Sequence, residues 1–226
     1  MRKLLKRIAH PFFKIGLEWY YTKPRKFTYS GLRVQVHPEV FPPNFTISTK
    51  ILLNFIKPFN LRDKNFLELG CGCGIISLFA SKKGAKVTAT DINITALEYL
   101  KQAAIDNYLD LEILRSDLFE NLENRQFEYI VINPPFYPRS PVNIKEHAWF
   151  CGSNFEYFEN LFRSLPNYLN ETNQTFMILS EDCDLNKIAE IAQKNELRLL
   201  IVIKKDSWFE SNYIYKVEKK MNLQNK

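Results

Sequence analysis

The chain has 226 residues, 46% hydrophobic and 25% charged, enough to bury one sizeable core and too ordinary for a disordered or collagen-like polypeptide. No run approaches the roughly 18 apolar residues of a membrane span, and the basic N terminus is too interrupted by Lys, Arg, His and Pro for a signal peptide, so a cytoplasmic protein is expected. The net charge of +6 is uneven: residues 1–43 carry nine Lys/Arg against Glu18 and Glu39, a balance of +7, and the remainder stands at −1.

Residues 2–20 place Leu4, Leu5, Ile8, Phe12, Ile15 and Trp19 at mostly three- and four-residue spacings among basic residues, the pattern of an amphipathic helix interrupted near Pro11. Phe27 to Tyr29, a Ser30-Gly31 turn and the alternating run Leu32 to Val36 read as a β-hairpin. The proline-rich stretch from His37 to Phe45 is a connector, which divides the chain into a basic extension, 1–45, and a main domain, 46–226. A helix is expected from about Thr49 to Phe59, with Pro58 near its end. Strand and helix then alternate: strands at Asn65–Leu69, Lys86–Thr90, Leu111–Leu114 and Phe127–Ile132, with helices at Ile75–Lys83 and Ile94–Asn107. Parallel βαβ units give this rhythm. Tyr137 to Ser153 reads as a long irregular loop where a substrate lid would lie. A helix over 155–169, a strand over 175–180, a helix over 184–195 and strands at 197–203 and 213–218 complete the chain. The last connection is too short for a helical crossover, so the final strand is expected antiparallel.

Chemistry collects at the strand ends. Gly70-x-Gly72-x-Gly74 follows the first strand of the main domain, where missing side chains let a ligand approach the backbone. A dinucleotide fingerprint would need glycine at position 75, which is Ile75, and no phosphate-binding lysine follows. Asp91 ends the next strand, placed to take ribose hydroxyls, and Asp117 ends the third, placed to accept from an adenine amine. Glu68 precedes the turn. Three acids at successive strand ends call for a donor-rich, positively charged ligand, and S-adenosylmethionine meets that demand. Cys71, Cys73, Cys151 and Cys183 form no C-x-x-C pair and no matching histidine spacing, so reduced thiols are expected rather than a metal site or a disulfide framework.

Asn133-Pro134-Pro135-Phe136 follows the apolar strand Tyr129–Ile132. The two prolines fix φ and remove two backbone donors, leaving mainly acceptors, the Asn133 side-chain oxygen and the Pro134 carbonyl, to face a substrate NH2. Phe136 offers a ring for stacking on a flat group.

E-L-G-C-G-C-G, T-D-I-N, S-D-L-F and I-N-P-P-F, in this order and spacing, resemble class I S-adenosylmethionine-dependent methyltransferases of the small-domain, N-P-P-aromatic type, a group that includes HemK-type glutamine methyltransferases and RNA or DNA amino-methyltransferases. The resemblance covers about residues 46–219. It implies a Rossmann-like, mostly parallel seven-stranded α/β sheet whose last strand is antiparallel. It also implies that Glu68, Gly70, Gly72, Gly74, Asp91, Ile92, Asp117, Leu118 and Thr49 line the cofactor, with Asn133 to Phe136 catalytic. Before Thr49 relatives often carry an acid, and this chain has Ser48. The expected acceptor is an NH2 on a base in RNA, adenine N6 or guanine N2, with the basic extension meeting phosphate and Tyr20, Tyr21, Phe27 and Tyr29 stacking on unpaired bases. A protein glutamine side chain is the alternative, and a non-catalytic nucleoside-binding module the second.

Overall fold

The computed structural model describes residues 22–43, 47–123, 125–207 and 210–220. The expected amphipathic helix over 2–20, with Tyr20 and Tyr21, lies outside these residues. Strands β3 (Asn65–Leu69), β4 (Lys86–Asp91), β5 (Glu112–Arg115), β6 (Tyr129–Ile132), β7 (Gln174–Ser180), β8 (Leu197–Asp206) and β9 (Ser211–Lys219) form a seven-stranded sheet in the order β5-β4-β3-β6-β7-β9-β8. β5 through β7 run parallel, and β9 lies antiparallel to both β7 and β8. Only residues 207–210 join β8 to β9, so no crossover helix fits and the strand must turn back.

Helices α1 (Ile47–Ile56), α2 (Ile75–Lys82) and α3 (Ile94–Asp106) cover one face of the sheet, and α4 (Glu156–Ser164) and α5 (Leu185–Lys194) the other. Successive residues of a strand point to opposite faces, so Phe66 enters the first core while Leu67 and Leu69 enter the second. Glu68 shares the Phe66 side and is aimed at the start of α2.

The predicted hairpin forms as β1 (Arg25–Tyr29) and β2 (Leu32–Val36), paired from Arg25↔Val36 to Tyr29↔Leu32. Ser30 and Gly31 both have positive φ, 50° and 83°, the backbone of a two-residue turn whose twist matches the flanking strands. Phe27, Leu32, Val34 and Val36 are buried in the core shared with α2 and α3. The Asn107 side chain clamps Arg33, accepting from its N–H at 3.0 Å and donating to its carbonyl at 2.8 Å. Tyr29 packs edge-on to Phe79 and donates to Asn54. This corrects one expectation: Phe27 and Tyr29 are spent on the core and on holding the hairpin, and do not form a stacking platform for bases.

A second correction concerns Tyr137 to Ser153. The stretch carries a 3-10 helix, Ile144–Ala148, whose entry is capped by the Asn143 side chain accepting from Glu146 N–H at 3.1 Å, and its ends meet in a Tyr137–Phe150 bridge. No helix among the described residues is long and apolar enough to cross a membrane.

Candidate active site

From β3 the chain builds outward to β4 and β5, then returns to lay β6 on the other side of β3. That reversal opens a crevice at the carboxyl ends of β3 and β6, where ligands bind in open α/β sheets. Leu69 pairs with Ile132 across the two strands, so the residues that follow, Gly70 and Asn133, enter the crevice side by side. A cavity of about 380 Å³ lies there.

One half of its wall is the β3–β4–β5 edge. Gly72 N–H donates to one Asp91 carboxylate oxygen at 2.8 Å and Asn93 N–H to the other at 2.9 Å. Burial pushes the Asp91 pKa up, and these backbone donors, with His147 across the cavity, pull it back. Glu68 is buried, 5% exposed, and one carboxylate oxygen accepts from Ser77 N–H at 2.7 Å and, in a short contact, from the Ser77 hydroxyl. Gly74 offers α2 no side-chain cap, so Glu68 satisfies an otherwise unpaired amide of the first turn. Burial dominates its titration and pushes it up to about 8, against the opposing pull of the Ser77 bonds.

Thr49, Glu68, Gly70, Gly72, Asp91, Ile92, Asp117 and Leu118 all line the cavity. Gly70 faces open space, since a Cβ there would meet nothing within 4 Å. Gly74 is not in the wall. With φ at +67° it packs under Leu100, whose side-chain carbon would lie 2.3 Å from an added Cβ, so its smallness brings α3 against the turn.

The other half of the wall comes from β6. Asn133 and Pro135 line the cavity, whereas Pro134 is buried behind it and the half-buried Phe136 packs on the second core and on Tyr137, ring centroids 4.9 Å apart. The Asn133 Nδ2 donates to Ser48 Oγ at 3.4 Å, while its Oδ1 is buried without a hydrogen-bond partner. A buried acceptor left unmade costs about 1–3 kcal/mol.

Residues that the strand-end reading did not supply close the cavity: Phe41 from the connector, His147, Phe150 and Cys151 from the 137–153 segment, and Glu156 and Tyr157 at the start of α4. Phe41 packs on Trp149 at 4.8 Å between ring centroids, and the Arg139 guanidinium sits 4.9 Å above the Phe150 ring. Burial, then the negative field of Asp91 and Asp117, pushes the Tyr157 phenol well up. Glu39, Asp91, Asp117 and Glu156 face the cavity beside the protonated Glu68, and no lysine or arginine among the described residues joins them. Such a wall repels phosphate and favours a cation rich in hydrogen-bond donors, which the ammonium, sulfonium, ribose diol and adenine amine of S-adenosylmethionine supply.

The family model of the methyltransferase small domain matches residues 31–194, beginning inside the hairpin. A "putative protein N5-glutamine methyltransferase" of Methanocaldococcus jannaschii is 32% identical over 177 residues, 74% of this chain and 87% of that protein. Ribosomal RNA small subunit methyltransferase C of Mannheimia succiniciproducens is 36% identical over 146 residues, 59% of this chain but only 43% of the relative; this chain thus spans less than half of that protein. Among solved structures, a methyltransferase from Pyrococcus furiosus superposes with a TM-score of 0.64 at 20% identity, covering 96% of both chains. The 16S rRNA N2 G1207 methyltransferase of T. thermophilus, in complex with AdoMet and guanosine, gives 0.62 at 18% identity over 88% of this chain and 50% of that one. These two likenesses carry the fold; the family match and the 32% relative carry the membership. The chain belongs to the methyltransferase small-domain family and is an S-adenosylmethionine-dependent methyltransferase.

Proposed function

We propose that this enzyme methylates an exocyclic NH2 on a base in RNA, adenine N6 or guanine N2. The observation that carries the NH2 reading is the Asn133 Oδ1, a buried acceptor with no partner, set beside the glycine turn. A fold that tolerates this cost gains from it when a ligand N–H arrives.

Gly70 and Gly72 would hold the cofactor against the turn, with Asp91 on the ribose hydroxyls, Asp117 on the adenine amine, Glu68 toward the cationic end, and Thr49, Ile92 and Leu118 in van der Waals contact. When bound, S-adenosylmethionine supplies an electrophilic methyl carbon. The protein's task is then to hold the acceptor nitrogen at near-attack distance with its lone pair free. An amide or base NH2 delocalises that pair into its π system. The Asn133 Oδ1 would accept one N–H group, turn the lone pair toward the methyl and stabilise the charge that develops on nitrogen; the Pro134 carbonyl expected for the second N–H belongs to a residue buried behind the wall. Phe41 and Phe150 reach the cavity and would face the flat group; Phe136 supports the turn from behind.

The ring-rich lip of Phe41, Trp149 and Phe150, with Arg139 beside it, supports a nucleobase, since unpaired bases are held by stacking on aromatic and guanidinium planes. A second reading is a glutamine side chain in a protein. The relative covered over 87% of its length supports it, as do Asp182 and Glu210, whose negative field adds to burial, the larger cause, in raising the Tyr137 phenol to about 12 and would repel phosphate. Radiolabelled S-adenosylmethionine, supplied with separately fractionated RNA, DNA, protein and small metabolites, decides between them. Label in RNA is expected; label confined to protein supports the second reading, and label confined to DNA or metabolites overturns both.

A further inference from the structure

The Asn133 amide has two ends of nearly the same shape and opposite chemistry, and the proposed role needs one particular end in the cavity. With Oδ1 inward it accepts a substrate N–H. Turned over, Nδ2 would face the substrate nitrogen, donor against donor, and neither could be satisfied. The side-chain contact that engages this amide is Ser48, whose Oγ accepts from Nδ2 at 3.4 Å. Ser48 stands in the first turn of α1, is 6% exposed, and precedes Thr49 in the cavity wall. It belongs to a different layer of the fold from Asn133, 85 residues away.

We infer that Ser48 is a positioning residue that holds the Asn133 amide with its oxygen toward the acceptor nitrogen. The inference rests on the role given to Asn133 above. Ser48 does not reach the reacting atoms. It takes up the Nδ2 donor and fixes the side chain about its terminal bond. Without the hydroxyl the amide samples both orientations and only one is productive, so the cost falls on turnover and leaves cofactor binding alone.

The test compares methyl transfer from labelled S-adenosylmethionine into the acceptor fraction with calorimetric cofactor affinity. Ser48→Ala is expected to lower kcat about tenfold, the worth of one hydrogen bond, with cofactor affinity within about twofold. Ser48→Thr keeps the hydroxyl and is expected to restore kcat. The double variant Ser48→Ala/Asn133→Ala is expected to be no slower than Asn133→Ala alone, because Ser48 acts through that residue. Native kcat in Ser48→Ala, a parallel loss of cofactor affinity, or a further tenfold loss in the double variant each overturns the inference. If Asn133→Ala itself turns over normally, the underlying role of Asn133 has failed instead.

Discussion

The two halves of the cavity differ in how their polar groups are occupied. On the β3–β4 side they already hold the fold together: Asp91 shapes the glycine turn through Gly72 and Asn93, and Glu68 caps α2 through Ser77. On the β6 side the Asn133 amide is held at one end by Ser48 and idle at the other. On the proposed assignment, cofactor recognition draws on groups with a structural duty, and acceptor recognition on an oxygen kept out of the fold. Changes in the first half should cost stability together with binding, and changes in the second should cost rate alone.

The largest effect is expected at Asn133. Asn133→Ala should lower kcat by about 10²–10³, the usual loss of an acceptor or donor aimed at developing charge, with melting temperature and cofactor affinity held; weakened cofactor binding with normal turnover would erase the contrast between the halves. Asp91→Ala should weaken cofactor binding by about 1.5–3 kcal/mol, the range for hydrogen bonds to a charged group, and should also lower the melting temperature, because the Gly72 and Asn93 amides lose their acceptor. Gly74→Ala tests the packing role: a Cβ pressed into Leu100 at positive φ should cost about 1–3 kcal/mol in urea unfolding, the usual range for overpacking.

A pH slope tests the first half from another side. In the folded protein Glu68 keeps its proton to about 8, against an ordinary value of 4.5. Between those values the folded state holds a proton that the unfolded chain has released, so this group's contribution to stability falls as pH rises through the window. Glu68→Gln retains an acceptor for Ser77 and should flatten melting temperature against pH from about 4.5 to 8. A slope unchanged from the native protein would place the titration elsewhere.

Much of this was legible because the chemistry sits at the carboxyl end of each strand, from one residue before the last to two beyond it. Glu68, Asp91, Asp117 and Asn133 follow from finding where β3, β4, β5 and β6 stop, and strand ends are local features of sequence. Gly74 misled, since a glycine needed for close helix packing reads the same as one that clears a ligand. The 3-10 helix over 144–148 was missed because five residues are too few to show a period; its signal was Asn143-x-x-Glu146, a cap with an acid three residues on. Phe41, His147 and Tyr157 reach the cavity from three distant segments, and no spacing along the chain announces that meeting. The Ser48 contact joins α1 to the β6 turn, a pairing that only the packed layers reveal.

The central claim is that the acceptor atom is an NH2 nitrogen on a flat group, and the product of the labelled transfer shows it directly. RNA that has taken up label is digested to nucleosides and resolved by chromatography with mass spectrometry. The expected result is a methyl on an exocyclic amine, N6-methyladenosine or N2-methylguanosine. A methyl on a ring nitrogen, a ribose oxygen or a base carbon would contradict the account, because none of these is the exocyclic NH2 that the proposed role of the Asn133 oxygen requires.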